Sequence, residues 1–192
     1  MEKTASQRRE ALLVLRAQSG DRGAFDELLR SVQQPLFGYL LRLVGERAVA
    51  EDVLQDAFVL IYRKLRWLEE PALFRPWAYR IASREAFKAM KRERRWAEQI
   101  RDDEVLGALA APPMEEGEFE PELIERLPQL VARLSPASRA VLMLHYMHEM
   151  SLAEVADVLG LASGTVKSRL AYGLATLRRA LSEEGGQQGR DI

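Results

Sequence analysis

The chain contains no cysteine, and this absence excludes disulfides, thiolate metal sites and cysteine nucleophiles. Long apolar stretches are missing as well. The two best candidates, Ala140 to His148 and Val105 to Met114, are about half as long as the roughly 18 residues that a membrane-spanning helix needs. No hydrophobic signal core follows Met1. We therefore expect a cytoplasmic protein that does not insert into a membrane.

Hydrophobic residues make up 47% of the 192 residues and charged residues 30%, which predicts a folded chain with a core. The net charge of −1 conceals an uneven distribution. Residues 72–101 contain nine cations and three anions, residues 102–126 contain one and nine, and residues 127–181 contain six and three. The net charges of these segments are +6, −8 and +3. Two basic segments joined by an acidic one indicate polyanion binding at two places.

Apolar residues recur at the helical period along most of the chain, and no stretch shows sustained strand alternation. The clearest stripes are Phe25, Leu28, Leu29, Val32 and Leu36, then Leu54, Ala57, Phe58, Ile61 and Leu65, then Val166, Leu170, Leu174 and Leu177. Over residues 102–122 prolines, glycines and glutamates replace this pattern. The sequence predicts an all-α protein in which an N-terminal helical bundle and a C-terminal helix-turn-helix domain are joined by a flexible acidic linker.

Prolines indicate where the helices of the N-terminal bundle begin and end. Pro35 should end or bend the helix that carries the first stripe. The second stripe belongs to a helix from about Ala48 to Arg66. Pro76 is well placed as the first residue of a long helix that reaches about Arg101.

The C-terminal domain is predicted to contain four helices. The apolar stripe of the first is Leu123, Leu127, Leu130 and Leu134, and the second begins at Ser135-Pro136. Ser151 and Glu154 have the spacing of a capping box that opens a short helix, and Gly160 should close it. Ser163 should cap the last helix. The glycine-rich tail over residues 183–192 is predicted to be disordered.

The helix after Pro76 carries a cationic rail, which we define as Arg80, Arg84, Lys88, Lys91 and Arg95. At about 100° and 1.5 Å per residue, these cations lie within a sector of about 80° over about 22 Å. Like charges at this spacing repel each other, so the rail favours an anion such as phosphate. Trp77 lies on the same sector and could stack on an unpaired base. The alternative is a solvated basic face with Trp77 in the core.

A helix-turn-helix is predicted from Ser151 to Leu159, through a turn at Gly160, into the helix that starts at Ser163. The outward positions of the last helix are Gly164, Thr165, Ser168, Tyr172, Ala175 and Arg179, with Lys167 and Arg169 on the flanks. Short polar side chains flanked by cations suit the major groove, where base edges and phosphates are contacted together. The alternative is an αα-hairpin without DNA-binding function.

Several motifs resemble those of extracytoplasmic-function (group 4) sigma factors of bacterial RNA polymerase. The matching stretches are Gly20-Asp21 with Ala24-Phe25, Ala50 to Phe58, Trp77 to Ala82, Lys91 to Arg95, Leu134-Ser135-Pro136 with Arg139, Ser151 to Ala156, and Gly164 to Leu170. The resemblance covers about residues 20–96 and 125–181. Where the family often has His-Arg-Ala after the last stretch, this chain has Ala171-Tyr172-Gly173.

The resemblance implies a sigma region 2 over residues 20–101 and a sigma region 4 over residues 123–182. An extension over residues 1–19, the acidic linker over 102–122 and the tail over 183–192 complete this division. Region 2 would bind the clamp helices of the largest subunit of core RNA polymerase and open the promoter −10 element. Region 4 would read the −35 element and contact the polymerase flap. The resemblance also implies an anti-sigma factor as a partner, no cofactor, and no enzymatic activity of the chain itself.

Site residues follow from the same resemblance, position by position. The polymerase-binding residues would be Asp52, Gln55, Asp56 and Arg63. The −10 and melting surface would comprise Trp77, Tyr79, Arg80, Arg84, Lys88, Lys91 and Arg95, and the loop from Trp67 to Phe74 would capture a flipped-out base. The −35 surface would comprise Thr165, Lys167, Ser168, Arg169, Ala171 and Tyr172.

Other interpretations of the chain are weaker. His145 and His148 are three residues apart, but two histidines without a well-placed carboxylate favour ordinary surface residues over a metal site. Asp52 and Asp56 have no companion base or nucleophile, which argues against a catalytic pair. Two rivals to a sigma factor stay open. One is a helix-turn-helix regulator that is not a polymerase subunit, and the other is a helical adaptor or anti-regulator whose basic helix contacts protein.

Overall fold

Helices are the regular elements of the computed structural model, which describes residues 2–92 and 128–188, with side-chain surroundings for 7–92 and 128–180. The chain divides into two units, Met1–Arg92 and Glu93–Ile192. The described ranges contain no strand, so the predicted all-α class with two helical domains is confirmed. The acidic linker over 102–122, and with it the first C-terminal turn around Leu123 and Leu127, lies outside the described residues.

The first unit consists of four helices and two single turns of 3₁₀-helix. In chain order these are α1 (Glu2–Gln18), α2 (Arg22–Val44), α3 (Arg47–Lys64), the turns Leu65–Trp67 and Pro71–Leu73, and α4 (Phe74–Arg92). Helices α2, α3 and α4 pack against one another, and α1 packs against α2 and both 3₁₀ turns. Residues 1–19, which the sequence assigns to an extension, thus contain a helix whose Leu13 and Val14 are buried in the first unit.

Helix α2 continues through Pro35, whereas the sequence predicted an end or a bend there. A proline inside a helix removes one backbone hydrogen bond and costs about 3 kcal/mol. The residues on both sides offset this cost, because Leu28, Val32, Leu36 and Leu40 are fully buried. Each such side chain contributes about 1.5–3 kcal/mol by leaving water. Burial of one continuous stripe therefore outweighs the local effect of the proline.

Helix α4 begins at Phe74, two residues before the predicted first residue Pro76. Pro76 then lies in the first helical turn, where its missing N–H would have no intrahelical partner in any case. One side of the helix carries Ala78, Ala82 and Ala86, all fully buried, and these small residues let the neighbouring helices approach closely. The predicted continuation from residue 93 to about Arg101 lies outside the described residues.

The described part of the second unit begins with α-helical residues 128–130, which lie within the predicted first C-terminal helix, and continues with a turn of 3₁₀-helix at Val131–Arg133. Three helices follow: α5 (Pro136–Leu142), which continues as a π-helix over Met143–Met147, α6 (Leu152–Leu159) and α7 (Ser163–Gln188). The buried Arg139 of α5 donates hydrogen bonds to the carbonyl oxygens of Val131, Ala132 and Leu134, at 2.9, 3.0 and 2.9 Å. These bonds tie the 3₁₀ turn to the helical core.

Both ends of α6 match the sequence prediction. The Ser151 hydroxyl accepts from the Glu154 backbone N–H, and the Glu154 carboxylate accepts from the Ser151 N–H, which forms the predicted capping box. Gly160 ends the helix in the left-handed region at φ 66°, where glycine has no Cβ penalty.

The ends of α7 differ from the prediction. The Val166 N–H donates to the Ala162 carbonyl, so Ala162 takes the position predicted for Ser163. The helix extends to Gln188, and residues 183–188 of the predicted disordered tail are therefore helical. A formed helix adds residues without a new nucleation cost, which lets it run past the last apolar stripe.

Candidate polymerase and nucleic-acid interfaces

The outward face of α3 carries all four residues predicted to bind polymerase: Asp52, Gln55, Asp56 and Arg63 are exposed. They follow one another at helical spacing because the opposite face, including the fully buried Ala57 and Ile61, packs in the first unit.

Two further side chains lie on this face that the sequence analysis missed. Val59 is 49% exposed and Tyr62 is 69% exposed. Val59 and Tyr62 follow Gln55 by four and seven residues and therefore lie on the same side of the helix. This helical spacing could have identified them from the sequence. The face is acidic at its N-terminal end, apolar in the middle and basic at Arg63.

An apolar groove lies beside this face, between α2 and α3. Its volume is about 450 Å³, and its apolar lining consists of Phe25, Leu29, Leu54, Phe58, Val59 and Tyr62. The Phe25 and Tyr62 rings meet edge to face with their centroids 5.2 Å apart. A large, exposed tyrosine next to a groove of this kind is a typical feature of a protein-binding surface.

The cationic rail occupies the outward side of α4. Arg80, Arg84, Lys88 and Lys91 are exposed, and Arg95 lies outside the described residues. The ammonium group of Lys88 is 3.0 Å from a carboxylate oxygen of Glu85, which neutralises part of the charge at this point. Arg80 and Arg84 are therefore the exposed guanidinium groups that the described part of the rail presents to solvent.

The predicted assignment of Tyr79 to the DNA surface is wrong in this structure. Tyr79 is only 2% exposed, and its ring meets the buried Tyr39 edge to face at 5.4 Å. It shares the inner side of α4 with Ser83, one turn further on, whose hydroxyl is 2.8 Å from the Tyr39 hydroxyl. Burial raises the pKa of Tyr79. Arg80, one residue later, is rotated by about 100° and faces solvent.

Aromatic side chains flank the start of α4 on its accessible side. Trp77 is half-buried, with its ring 6.2 Å from that of Phe74 and tilted by 41°. In the preceding loop, Trp67 is 61% exposed, and the guanidinium carbon of Arg66 lies 3.9 Å from the centre of its ring. Exposed aromatics beside cations are suited to stacking on unpaired bases.

The helix-turn-helix of the second unit presents most of the predicted −35 residues on α7. Lys167 and Tyr172 are exposed, and Thr165, Ser168 and Arg169 are half-buried. The Ser168 hydroxyl donates to the Gly164 carbonyl oxygen at 2.8 Å, so its oxygen is left to act as an acceptor.

Ala171 is a second correction to the predicted DNA surface. Its side chain is only 8% exposed. Helix α7 packs against both α5 and α6, and this pair of neighbours widens its buried face beyond the single stripe that the sequence shows.

The histidine pair of the second unit shows no arrangement for a metal ion. The His145 Nδ1 atom is 2.7 Å from the Met150 carbonyl oxygen, a hydrogen bond that closes the turn before α6. Among the described residues, no three histidine, aspartate or glutamate side chains converge on one point. In the same part of the chain, no helix is long and apolar enough to cross a membrane.

Both units match known protein families. Residues 28–96 match sigma-70 region 2, and residues 124–177 match sigma-70 region 4. The RNA polymerase sigma-H factor of Pseudomonas aeruginosa is 30% identical over 186 residues, which cover 92% of this chain and 95% of the relative. The ECF RNA polymerase sigma factor SigL of Mycobacterium tuberculosis is 33% identical over 156 residues, which cover 78% and 84%.

Solved structures show the same fold. The structure of CnrH in complex with the cytosolic domain of CnrY matches with a TM-score of 0.66 at 24% identity, over 91% of this chain and 98% of that one. The sigma factor RpoE in complex with the anti-sigma factor NepR from Bartonella quintana matches with a TM-score of 0.61 at 23% identity, over 82% and 96%. On this combined evidence, the chain belongs to the extracytoplasmic-function family of RNA polymerase sigma factors.

Proposed function

We propose that this sigma factor binds core RNA polymerase through α3, opens the −10 element with α4 and the loop before it, and reads the −35 element with α7. The observation that carries the proposal is that sigma-70 regions 2 and 4 match one unit each, in chain order. The exposed polar faces of α3, α4 and α7 all lie within those matches. In this function the chain needs no cofactor and catalyses no reaction.

The face of α3 is suited to a helical partner that places cations opposite the acidic end of the face and an anion opposite its basic end. Asp52 and Asp56 would pair with cations, Arg63 would pair with an anion, and an apolar side chain would fill the groove beside Tyr62. Charge pairs that become desolvated at an interface contribute strongly to affinity, and a central aromatic residue is a frequent hot spot. The clamp helices of the polymerase are the partner that we propose for this face.

The rail and the recognition helix are suited to different features of DNA. Arg80 and Arg84 would contact phosphates, which contribute affinity without sequence information. Ser168, whose hydroxyl hydrogen is used within α7, would accept from a base amino group such as adenine N6 or cytosine N4. Tyr172 would contribute apolar contact to the neighbouring base edge. Lys167 and Arg169 would add phosphate contacts on either side.

An anti-sigma factor is a further proposed partner. The two similar structures are complexes, one with the cytosolic domain of CnrY and one with the anti-sigma factor NepR. An inhibitor of this chain would compete with polymerase most directly by covering the α3 face. Charge reversal at Asp56 should then weaken both associations.

The test of the proposed function is reconstitution with core polymerase. We expect the chain to copurify with core polymerase and to support run-off transcription from a promoter selected by the reconstituted holoenzyme. A helix-turn-helix regulator that is not a polymerase subunit would bind DNA alone and yield no such transcript. Absence of stable core binding by the wild-type chain would overturn the proposal.

A further inference from the structure

Helix α1 contacts the loop between α3 and α4 through one side chain. The Gln18 amide nitrogen donates two hydrogen bonds, to the carbonyl oxygens of Leu65 at 2.9 Å and of Leu68 at 2.8 Å. These two residues are the first residue of the 3₁₀ turn and the residue directly after it, and the Leu68 N–H also bonds back to the Leu65 carbonyl. A single amide thus holds both ends of the turn.

The two carbonyl groups gain a donor that the end of the helix lacks. They lie where backbone acceptors have no full following helical turn to bond with, and the residues Leu65 and Leu68 are largely buried. A primary amide provides two N–H groups on one atom and can satisfy both acceptors together. Without it, each of these part-buried carbonyls would lose one hydrogen bond, although Leu65 would keep the bond from the Leu68 N–H. The backbone of the turn would then move to recover the lost bonds from water.

The residues held between these two anchor points are Arg66 and Trp67. Trp67 projects into solvent, and the Arg66 guanidinium group stacks on its ring. Trp67 therefore exposes much of its apolar surface to solvent and contributes little to the core. A fixed backbone on both sides limits the directions in which the ring can point.

Helix α1 also contacts the far end of the same loop. The carboxylate of the buried Glu10 lies 3.0 Å from the guanidinium Nε of Arg75, at the start of α4. The stretch from Leu65 to Arg75 is therefore attached to α1 at both ends. Conformational change in this stretch requires contacts with α1 to break.

We propose that Gln18 is a positioning residue for capture of an unpaired −10 base: it orients the Arg66–Trp67 pair as a stacking surface. The inference rests on the proposed function, which assigns this loop to the −10 element. Gln18 lies outside the α3 face, so its effect should appear in binding of unpaired DNA and not in binding of core polymerase. Preorganisation of an aromatic platform lowers the cost of ordering it on DNA.

The test is the nearly isosteric variant Gln18→Glu in the full chain, which lacks both N–H donors. Its matched control is Gln34→Glu, the same chemical change at an exposed position of α2. We expect holoenzyme with Gln18→Glu to bind a fork-junction DNA with unpaired −10 bases roughly tenfold more weakly, about the effect of one lost stacked base. Core affinity should stay within twofold of wild type. A second variant, Gln18→Met, removes the donors without adding charge and should behave in the same way.

A double-mutant cycle separates positioning from general destabilisation. If Gln18 acts through Trp67, Gln18→Glu should cause little further loss of fork-DNA binding in a Trp67→Ala background. Full additivity of the two losses, or wild-type fork-DNA binding by both Gln18 variants, would overturn the inference while leaving the proposed function intact.

A spectroscopic measurement tests the positioning without polymerase. In a chain with Trp77→Phe and Trp96→Phe, Trp67 is the single tryptophan. Its fluorescence anisotropy should fall in Gln18→Glu and stay constant in Gln34→Glu. Equal anisotropy in the two variants would contradict the inference. Failure of wild-type core binding would instead contradict the proposed function, and the positioning of Trp67 by Gln18 would still be measured by the anisotropy.

Discussion

At the scale of single residues, Glu10 is an ionisable group inside the first unit. It is buried, and its carboxylate pairs with Arg75, whose side chain is 41% exposed. Burial raises the pKa of Glu10, and the nearby guanidinium only partly opposes this effect. The folded protein therefore binds a proton at Glu10 more tightly than the unfolded chain does, and stability decreases as the pH rises through the pKa of the folded state.

We predict that Glu10→Gln leaves the protein as stable as wild type at pH 7, or more stable. The uncharged amide avoids the desolvation of a carboxylate and can still accept from Arg75. Below the ordinary carboxyl pKa of 4.5, wild-type Glu10 is protonated in both states, so the difference should disappear. Melting temperatures between pH 4 and pH 8 measure the effect.

The control for this measurement is Glu27→Gln. Glu27 pairs with Arg9 at 2.6 Å, but the Arg9 side chain is 77% exposed and the Glu27 side chain 40%, so the pair should influence stability little at any pH. If Glu10→Gln is markedly less stable than wild type at pH 7 and equal to it at pH 4, the ion pair with Arg75 outweighs the cost of burial.

At the scale of elements, Gly173 sets the distance between α7 and α5. A Cβ atom on this residue would lie 2.4 Å from the Leu142 Cδ1 atom, and Leu142 is fully buried. The structure gives a physical reason for glycine here, because the leucine of α5 occupies the space that a methyl group would need.

Gly173→Ala should lower the free energy of unfolding by about 1 kcal/mol. Overpacking a core costs about 1–3 kcal/mol, and the better helix propensity of alanine returns up to about 1 kcal/mol. Chemical denaturation measures the change. A smaller partner side chain should relieve the clash, so Gly173→Ala with Leu142→Val should be more stable than the two single effects predict. Simple additivity of the two effects would show that Leu142 can move aside at no cost.

The cationic rail of α4 is the second feature at this scale, and it predicts a salt effect. Each phosphate contact releases counterions, so Arg84→Ala should weaken holoenzyme–promoter binding and lower the log–log salt slope by nearly one unit. Lys88→Ala should lower it less, because Lys88 is paired with Glu85 in the folded protein. Glu85→Gln should release Lys88 and strengthen binding at low salt.

The matched control for the rail is Arg30→Ala, which removes an exposed cation from α2. Its salt slope should equal that of wild type. Binding measured between 50 and 200 mM salt, about the range over which such contacts change affinity most clearly, distinguishes the variants. Equal slopes for Arg84→Ala and Arg30→Ala would show that the rail is an ordinary solvated face.

At the scale of the whole molecule, the first unit is proposed to bind core polymerase and the −10 element, and the second unit the −35 element. Asp52 and Asp56 lie on the α3 face, which is the proposed polymerase-binding surface. Both are exposed and away from the core, so substitutions there should change stability by less than about 0.5 kcal/mol. Binding and folding should therefore respond independently to changes on this face.

We predict that Asp52→Lys with Asp56→Lys abolishes binding to core polymerase and leaves the melting temperature nearly unchanged. Reversed charges would face the cations of the partner, and each close pair at an interface can contribute about 2 kcal/mol or more. Binding of −35 DNA by the variant should persist, because α7 belongs to the other unit. Core binding measured by fluorescence anisotropy tests the prediction, with Asp157→Lys on α6 as a control for reversal of an exposed aspartate outside this face. Wild-type core affinity in the folded double variant would disprove the assignment of this surface.

Local sequence features predicted much of the fold. The capping box at Ser151, the end of α6 at Gly160 and the apolar stripes depend on interactions between residues a few positions apart, and the structure confirms them. The helical period also placed Asp52 and Asp56 outward. The family could be identified from the sequence because each of its motifs is a short stretch of consecutive residues, which can be recognised without the tertiary structure.

Contacts between distant parts of the chain decided the rest. Tyr79 and Ala171 are buried because neighbouring helices cover more of α4 and α7 than one apolar stripe indicates. Pro35 is accommodated because burial along all of α2 outweighs one lost hydrogen bond. Gln18 acquires its partners 47 and 50 residues further along the chain, and no local pattern encodes that proximity. Burial and long-range hydrogen bonding depend on which surfaces meet in the folded chain, and only the tertiary structure determines this.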